Sequence, residues 1–519
     1  MLMAGIVDHS VYVISDLHLG GEYSKTQADR GFRINTHVNE LTEFVESLTR
    51  TANLRSAKVE LVINGDMVDF LAEKRLETEA YEGGFAGDWT PFTYRQEAAC
   101  AKLQAIANRD LQFFKALGAF LGAGHRLTIL TGNHDIELSL HPVRQKLREI
   151  IGVKPDHDYE LISNGEAYSV GDALIEHGNR YDTWNAVEHS GLSRLSSFMS
   201  RKQFLPEESV FDPPVGSKLV SWVINPIKHE YKFIDLLKPE TDVAVPFLLA
   251  LEPGYRRILA TVARLALKSR LQRMHVPYPS RFGTDIHASP ASASTAFGSP
   301  MGAFLADESG EASRDDGEAA LEEILQNRLS GDARGFLDAL PAVASGPTAE
   351  FGGDISTANF VDRAVGLAKL FFSKDGADLG RRLPALLKAL QALQPDRNFD
   401  HDYEAATEYT DAANNLFDGG FRFVLFGHTH LAKKMELRPG RWYLNSGAWT
   451  DMIQLPCEII TARPETAGRT LKTFVQDMAT GFLRNWIIFR PTYLRLDLDS
   501  NDRVINADLL EYETAAATF

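Results

Sequence analysis

Short apolar runs that each end in polar residues are the feature that most restricts how this 519-residue chain can fold. Residues 11–14 run into Ser-Asp-Leu-His, residues 59–64 into Gly-Asp, and residues 127–130 into Thr-Gly-Asn-His-Asp. Runs of this length and polarity are typical of buried parallel strands. Because open α/β sheets place their chemistry at the carboxyl ends of such strands, the pattern predicts an α/β core with functional residues along one sheet edge.

Segments with helical or hairpin patterns lie between and after these runs. Apolar residues recur at helical spacing from Leu41 to Leu48, and a longer helical stretch covers residues 96–121. Residues 167–176 favour a hairpin with a Gly-Asp turn. A helix near residues 403–417 and four further strands complete the alternation, with the strands at residues 421–426, 442–444, 486–498 and 504–512.

The character of the sequence changes between residues 191 and 400. Helical patterns dominate there, and residues 277–318 are rich in Ser, Ala, Gly, Pro and Asp, which is typical of a low-complexity linker. We therefore predict a core whose first part is residues 1–190 and whose second part is residues 401–519, with a helical insertion at residues 191–400. Because polar clusters lie on both sides of the insertion, we expect it to form a lid or a substrate-selecting wall.

Composition and charge exclude several classes of protein. With 44% hydrophobic and 24% charged residues, the chain is neither collagen-like, a coiled coil nor wholly disordered. Its net charge of −16 disfavours indiscriminate binding to nucleic acid. No apolar stretch of about 18 residues occurs, and Asp8 interrupts the run that a signal peptide needs, so we expect a cytoplasmic protein. Cys100 and Cys457 form no Cys-x-x-Cys pair, and we expect both to be buried.

Five polar clusters contain the side-chain types that bind metals. They are Asp16-x-His18, Gly65-Asp66-x-x-Asp69, Gly132-Asn133-His134-Asp135, His177-Gly178-Asn179 and Gly427-His428-Thr429-His430. Imidazole, carboxylate and amide oxygen suit ions such as Mn, Fe or Zn, and the absence of cysteine argues against a soft-metal site. Alternate residues of an extended segment face the same way, so each of the Asp-x-His and His-x-His pairs can point at one place. A single cluster is more often a turn, but five together indicate a metal site.

The order of these clusters resembles the calcineurin-like metallophosphoesterase family, whose pattern is Asp-x-His, Gly-Asp-x-x-Asp, Gly-Asn-His-Asp, His and Gly-His-x-His. The resemblance covers the core and not the insertion. It implies an α/β (α+β) fold arranged as a four-layer αββα sandwich with a large, mostly helical insertion. It also implies two divalent metal ions, Mn, Fe or Zn, bridged by Asp66. The implied ligands are Asp16, His18 and His430 for one ion and Asn133, His177 and His428 for the other, while His134 is the implied proton donor, oriented by Asp135.

The activity that this resemblance implies is hydrolysis of a small phosphate ester, either a monoester or a diester, by in-line attack of a metal-bridging hydroxide. Phosphate esters resist hydrolysis because the anionic phosphoryl group repels hydroxide and because the alkoxide leaves poorly. Two cations about 3.5–4 Å apart supply hydroxide near neutral pH and neutralise the phosphoryl oxygens. A carboxylate such as that of Asp66 can ligate both ions at once.

Several neighbouring residues have two interpretations each. Asp69 either orients a ligand imidazole or caps the start of a helix. Trp89 and Phe92 either stack on a substrate or simply pack. The residues that follow His177 either contact the substrate or form a surface loop beside the site. They are Arg180, Tyr181, Asp182 and Asn185, and of these we predict Arg180 and Tyr181 as substrate-binding residues.

Alternatives to this function stay open at the level of the sequence. One is a metal-dependent nuclease of the same superfamily, and another is a nucleotide-lipid pyrophosphate hydrolase, although the bacterial enzymes of that kind are shorter and generally carry Arg where this chain has His134. A third is a non-catalytic scaffold, which the complete ligand set disfavours. The basic amphipathic segment at residues 256–273 has three interpretations. It contacts anionic lipid at a membrane surface, it binds along the phosphate backbone of a nucleic acid, or it packs against the protein with its charged face in solvent. The sequence does not indicate an oligomeric state.

Overall fold

In a computed structural model of the chain, the described residues are 7, 9–22, 32–55, 58–76, 88–201, 211–228, 231–238, 240–251, 379–391, 397–480 and 482–513. The predicted linker at residues 277–318, the basic segment at residues 256–273 and the helical pattern at residues 318–329 lie outside them. Every helix within the described residues is too short or too polar to span a lipid bilayer.

Helices and strands alternate through most of the described chain. The strands are β1 (His9–Ile14), β2 (Val59–Asn64), β3 (Arg126–Leu130), β4 (Tyr159–Ile162), β5 (Tyr168–Val170), β6 (Ala173–Ile175), β7 (Leu237–Lys238), β8 (Phe423–Phe426), β9 (Lys433–Arg438), β10 (Arg441–Asn445), β11 (Met452–Gln454), β12 (Ile487–Ile488), β13 (Thr492–Leu498) and β14 (Val504–Glu511). The α-helices are α1 (Val38–Arg55), α2 (Gln96–Arg109), α3 (Leu111–Gly122), α4 (His141–Ile151), α5 (His189–Ser200), α6 (Val215–Leu219), α7 (Asn225–Lys228), α8 (Glu240–Leu251), α9 (Leu379–Gln391), α10 (Thr407–Asp418), α11 (Cys457–Thr461) and α12 (Pro464–Thr480). The chain is therefore a mixed α/β protein, as predicted.

The first sheet has the strand order β14-β13-β1-β2-β3-β4 among the described residues. Strands β1 to β4 are parallel, with Val13 opposite Val62 and Val62 opposite Thr128. Strands β13 and β14 extend the sheet in antiparallel fashion on the other side of β1. Because β1, β2 and β3 are parallel neighbours, the polar residues that follow them emerge at one edge of the sheet.

The second sheet has the order β5-β6-β8-β10-β9 among the described residues. The predicted hairpin at residues 167–176 is confirmed, since β5 and β6 pair antiparallel with Tyr168 opposite Ile175. Strand β6 is parallel to β8, which is parallel to β10. The carboxyl ends of β6 and β8 therefore lie side by side, and they lead to His177 and His428.

Buried side chains on each sheet face explain why these strands form. One apolar cluster combines Val13, Val62 and Leu130 of the first sheet with Ile175 and Leu425 of the second. The alternate residues of the first sheet pack against α1 to α4, and those of the second sheet pack against α10. Both sheets are thus buried on two faces, which requires the nearly continuous apolar runs seen in the sequence.

A separate apolar cluster, here called the insertion-side cluster, joins α6 to α9 to the region around α12. Its buried members include Val223, Phe247, Leu386, Ile453 and Phe474. A small sheet of order β12-β11-β7 crosses the same region, with Leu237 opposite Ile453. Residues 191–400 therefore contribute a short strand as well as helices, and they share buried contacts with residues beyond 450.

Two local predictions require correction. The helical stretch at residues 96–121 is two helices, because Asp110 leaves the helical conformation and accepts two 2.8 Å hydrogen bonds from the buried Arg33 guanidinium. The expected burial of both cysteines is wrong for Cys457, which is exposed at the start of α11, while Cys100 is half-buried.

Candidate metal centre

All seven predicted metal ligands converge at the carboxyl edges of the two sheets. Asp16 and His18 follow β1, Asp66 follows β2, Asn133 follows β3, His177 follows β6, and His428 and His430 follow β8. Among the described residues, six non-glycine residues have positive φ, and five of them are predicted ligands: Asp16, His18, Asp66, His428 and His430. Positive φ is uncommon for residues other than glycine, and it persists where the surrounding structure enforces the conformation.

Asp16, His18 and His430 form what we call the first ligand group. The Nε2 atoms of His18 and His430 are 3.0 Å apart, and His430 Nε2 lies 3.5 Å from Asp16 Oδ1. One potential ligand atom from each of the three residues lies within 4.8 Å of the others. All three side chains are buried. Two imidazole nitrogens at this spacing fit a shared ion at the usual metal–nitrogen distance of about 2.0–2.1 Å.

Asn133, His177 and His428 form the second ligand group. His177 Nε2 lies 3.1 Å from Asp66 Oδ2, and ligand atoms of Asp66, His177 and His428 lie within 4.8 Å of one another. His177 Nδ1 donates to the Asn64 carbonyl oxygen at 2.8 Å, which leaves Nε2 as the nitrogen for an ion. The buried Asn133 Oδ1 atom has no hydrogen-bond partner among the described residues.

These donors could hold divalent metal ions. Buried polar atoms normally have a partner, so the unpaired amide oxygen of Asn133 and the facing imidazoles of His18 and His430 are what a metal site would leave in a chain without its ion. Nitrogen and oxygen donors without sulfur suit Mn, Fe or Zn, and the identity of any ion stays a prediction.

The protonation of the imidazoles differs between the two ligand groups. Burial raises the pKa of Asp66, but the His177 and His134 rings outweigh burial and hold this pKa well below its usual value. Burial likewise lowers the pKa of His177, yet the adjacent Asp66 carboxylate raises it to about 9. By contrast, burial and then the Lys238 charge lower the pKa of His430 well below its usual value. At neutral pH, His177 therefore holds a proton that a metal ion would have to displace, and His430 does not.

His134 lies beside the ligands and is more open than they are. Its side chain is 19% exposed, against 1% for His18. Asp69 Oδ1 lies 3.1 Å from His134 Nδ1, and Asp69 Oδ2 lies 3.5 Å from His18 Nδ1. Asp69 Oδ1 also accepts from the Ala72 amide at the start of a 3-10 helix. Both interpretations of Asp69, as an orienting carboxylate and as a helix cap, therefore describe contacts in the structure.

Asp135 has a different position from the one that the resemblance implied. Its oxygens accept hydrogen bonds from the backbone amides of Gly132 at 2.7 Å and Met67 at 2.9 Å. It thereby joins the loops after β2 and β3, and Asp69 is the carboxylate hydrogen-bonded to the His134 ring. Burial and the nearby Asp66 charge raise the pKa of Asp135 to about 8.

Gly132 is required by the close approach of these loops. A Cβ atom at this position would lie 2.1 Å from Asp66 Oδ1 and 2.7 Å from His177 Nε2. No side chain fits there without displacing a ligand, which gives a steric reason for the Gly-Asn-His-Asp motif.

Arg180 and Tyr181, the predicted substrate-binding residues, both contact Glu176. Arg180 Nε lies 3.1 Å from Glu176 Oε2, and the Tyr181 hydroxyl donates to Glu176 Oε1 at 2.5 Å. Arg180 also donates to the Gly165 carbonyl oxygen. These contacts hold both side chains at the end of β6, and their role toward a substrate stays a prediction.

Trp89 and Phe92 are buried, which favours the packing interpretation. The Trp89 ring stacks on Phe32 with centroids 5.0 Å apart. Phe92 packs edge-on against Tyr94 and Phe211.

Three neighbours of the predicted ligands were not expected from the sequence. Ser15 donates to Asp16 Oδ2 at 2.5 Å, and Asp182 Oδ2 lies 3.0 Å from His428 Nε2. Lys238, on β7 of the insertion, is buried close enough to His430 to affect its pKa. Ser15 adjoins a ligand in the sequence and could have been found by that adjacency, whereas nothing in the sequence pattern connects Lys238 with β8.

Comparison of the sequence with protein-family models gives no match, and a search of curated proteins finds no significant match.

Proposed function

We propose that this chain is a dinuclear metal-dependent phosphoesterase of the calcineurin-like metallophosphoesterase family, acting on a phosphomonoester or phosphodiester. The observation that carries the proposal is the position of Asp66 between the two ligand groups. Its Oδ2 atom lies 3.1 Å from His177 Nε2 and 3.8 Å from His18 Nε2. A carboxylate in that position can serve two ions, which is the arrangement that phosphoryl transfer by two metals needs.

We also propose the four-layer αββα arrangement for the core. It is supported by the apolar cluster that both sheets share, by the packing of α1 to α4 on the first sheet and by the packing of α10 on the second. Family membership itself is supported by the five motifs and by the convergence of their side chains.

One ion would be held by Asp16, His18 and His430, the other by Asn133, His177 and His428, and Asp66 would be shared. Bound ions of this kind activate water and neutralise phosphoryl oxygens. The ligand side chains are nearly all buried, so the protein keeps bulk water away from them and strengthens electrostatic interactions at the site.

His134 supplies the proton for the leaving group in this proposal. Its Nδ1 atom is held by Asp69 at 3.1 Å, so Nε2 is the nitrogen that faces a substrate. The backbone amide of His134 donates to Asp66 Oδ1 at 2.8 Å, which ties the donor to the shared carboxylate. Proton transfer by a positioned side chain is typically worth about 10²–10⁴ in rate.

A small-molecule phosphate ester is the substrate class that we favour over nucleic acid. The net charge of −16 weakens attraction to an extended polyanion, whereas a small ester can be bound by contacts at the metal site alone. The cytoplasmic location and the role of residues 191–400 as a lid belong to the same proposal.

Purified protein tests this function directly. We expect two divalent ions per chain by elemental analysis, and Mn-supported hydrolysis when a monoester, a diester, a cyclic nucleotide and single-stranded DNA are compared. The His134→Ala variant should keep both ions and lose about 10²–10⁴ in rate. Undiminished hydrolysis by that variant, or two bound ions with no hydrolysis of any ester, would contradict the proposal, while cleavage of DNA alone would favour the nuclease.

A further inference from the structure

A short turn after His177 contacts the second ligand group. Asp182, at the end of the 3-10 helix Asn179–Tyr181, is 9% exposed and accepts from the Trp184 amide through Oδ1 at 2.8 Å. Its other oxygen, Oδ2, accepts from Asn185 Nδ2 at 2.6 Å and lies 3.0 Å from His428 Nε2. One carboxylate oxygen is thus shared by an amide and a ligand imidazole.

The Asp182 carboxylate fixes which way the side-chain amides of Asn185 and Asn133 face. An ionised carboxylate only accepts hydrogen bonds, so the NH₂ group of Asn185 must face Asp182 and its Oδ1 atom must face away. Asn185 Oδ1 then accepts from Asn133 Nδ2, at 3.4 Å. Asn133 therefore turns its NH₂ group to Asn185 and its Oδ1 atom to the other side, where that buried oxygen lacks a partner among the described residues.

The imidazole of His428 is oriented by the same carboxylate. With Nε2–H donating to Asp182, the nitrogen left for an ion is Nδ1. Metal-bound histidines commonly donate their second N–H group to a carboxylate, which sets the tautomer and the ring orientation.

Gly216, in the predicted insertion, contacts this turn. Gly216 in α6 donates its amide to the Trp184 carbonyl oxygen at 2.8 Å, and a Cβ atom there would lie 2.0 Å from Asn185 Oδ1. Asn185 thus has little room to rotate its amide.

We infer that Asp182 is a positioning residue for the second ligand group: it orients His428 directly, and it orients Asn133 through Asn185. The inference rests on the proposed function and adds a residue to it. Among the described residues, the Asp182 side chain contacts His428 and Asn185 and none of the three first-group side chains, so losing Asp182 should weaken one ion and spare the other.

The test is the Asp182→Asn variant, which removes the charge and keeps the shape. Titration of metal-free protein with MnCl₂ should show one ion bound as in wild type and one bound about 10–100-fold more weakly. The melting temperature of the metal-free variant should match that of wild type, whereas its increase on adding Mn should be smaller. Asp451→Asn is the matched control, because Asp451 is a buried carboxylate 2.7 Å from an imidazole nitrogen of His37, outside both ligand groups.

Single-site backgrounds assign the weakened ion. With His430→Ala, which removes a first-group ligand, adding Asp182→Asn should weaken the remaining ion about 10–100-fold. With His177→Ala, which removes a second-group ligand, adding Asp182→Asn should leave the affinity for the remaining ion unchanged. If Asp182→Asn does not fold, Asn185→Ala decides, since it should weaken the same ion through Asn133 alone.

Two results would overturn the inference. One is unchanged affinity for both ions, and the other is equal loss of both together with a lower metal-free melting temperature, which would make the turn merely structural. A wild-type protein that binds no pair of ions would instead overturn the proposed function, and this inference with it.

Discussion

The two ligand groups are held in place by different means. In the second group, His177 is anchored by the Asn64 carbonyl and His428 by Asp182, so hydrogen bonds determine which nitrogen is available. In the first group, the buried Nδ1 atom of His430 has no hydrogen-bond partner among the described residues. Polar contacts also reach the first group, from Asp69 to His18 and from Ser15 to Asp16. The contrast therefore lies in the two histidines after β8: a hydrogen bond fixes His428, whereas among the described residues none reaches Nδ1 of His430.

Loss of the shared carboxylate should have the largest effect and remove the contrast between the groups. We expect Asp66→Asn to abolish binding of the two metal ions as a pair. Hydrolysis should fall by about 10³-fold or more, because stabilisation of the transition state by the ions is worth several kcal/mol. Elemental analysis and steady-state rates measure both effects. Asp418→Asn, at an exposed carboxylate on the surface, is the control. Retention of two tightly bound ions would show that Asp66 does not bridge.

Substitution of Asp69 should affect the first group and His134, the proposed proton donor. Asp69→Asn weakens the contacts to His134 at 3.1 Å and to His18 at 3.5 Å, and it leaves His177 and His428 untouched. We expect a loss of about 10–100-fold in turnover or in affinity for the first ion. Metal titration in the His177→Ala and His430→Ala backgrounds separates the groups. A loss confined to the second ion would contradict this assignment.

The pH dependence of metal affinity should differ between His177 in the second group and His430 in the first. The pKa of His177 is raised from 6.5 to about 9, so the metal-free ring holds a proton at neutral pH that the ion must displace. Affinity of the second ion should rise about tenfold per pH unit and level off near pH 9. His430 has a pKa well below its usual value and is already neutral, so it gives no such slope. Calorimetry between pH 7 and 9 checks this, and equal slopes for both ions would contradict it.

Loss of packing in the insertion-side cluster should have the smallest effect on both groups. Phe247 is fully buried there and contacts Phe474 edge-on at 5.7 Å. Phe247→Ala should reduce the free energy of unfolding by about 3–5 kcal/mol. We expect both ions to bind with unchanged stoichiometry at low temperature. A variant that stays folded and yet loses one ion would show that this cluster supports the metal centre directly.

Much of the candidate site was predictable because chemistry at strand ends leaves a local signature. An apolar run followed by Asp-x-His or Gly-His-x-His identifies both the strand and the side chains at its end, as for His18 after β1 and His430 after β8. Asp69 was predictable as a residue of interest but not as the partner of His134. Its spacing from Asp66 is local, whereas its contact with His134 joins residues from two different strand ends.

By itself, the sequence determined the α/β character of the chain, the residue types of the candidate metal centre and their order. Only the tertiary structure decided that Asp69 contacts His134, that Asp182 contacts His428 and that Lys238 lies near His430. The physical reason is that strand and helix patterns repeat over a few residues and are readable locally. Hydrogen bonds between residues 65 to about 250 positions apart depend on how the sheets and the insertion pack, which no local pattern encodes.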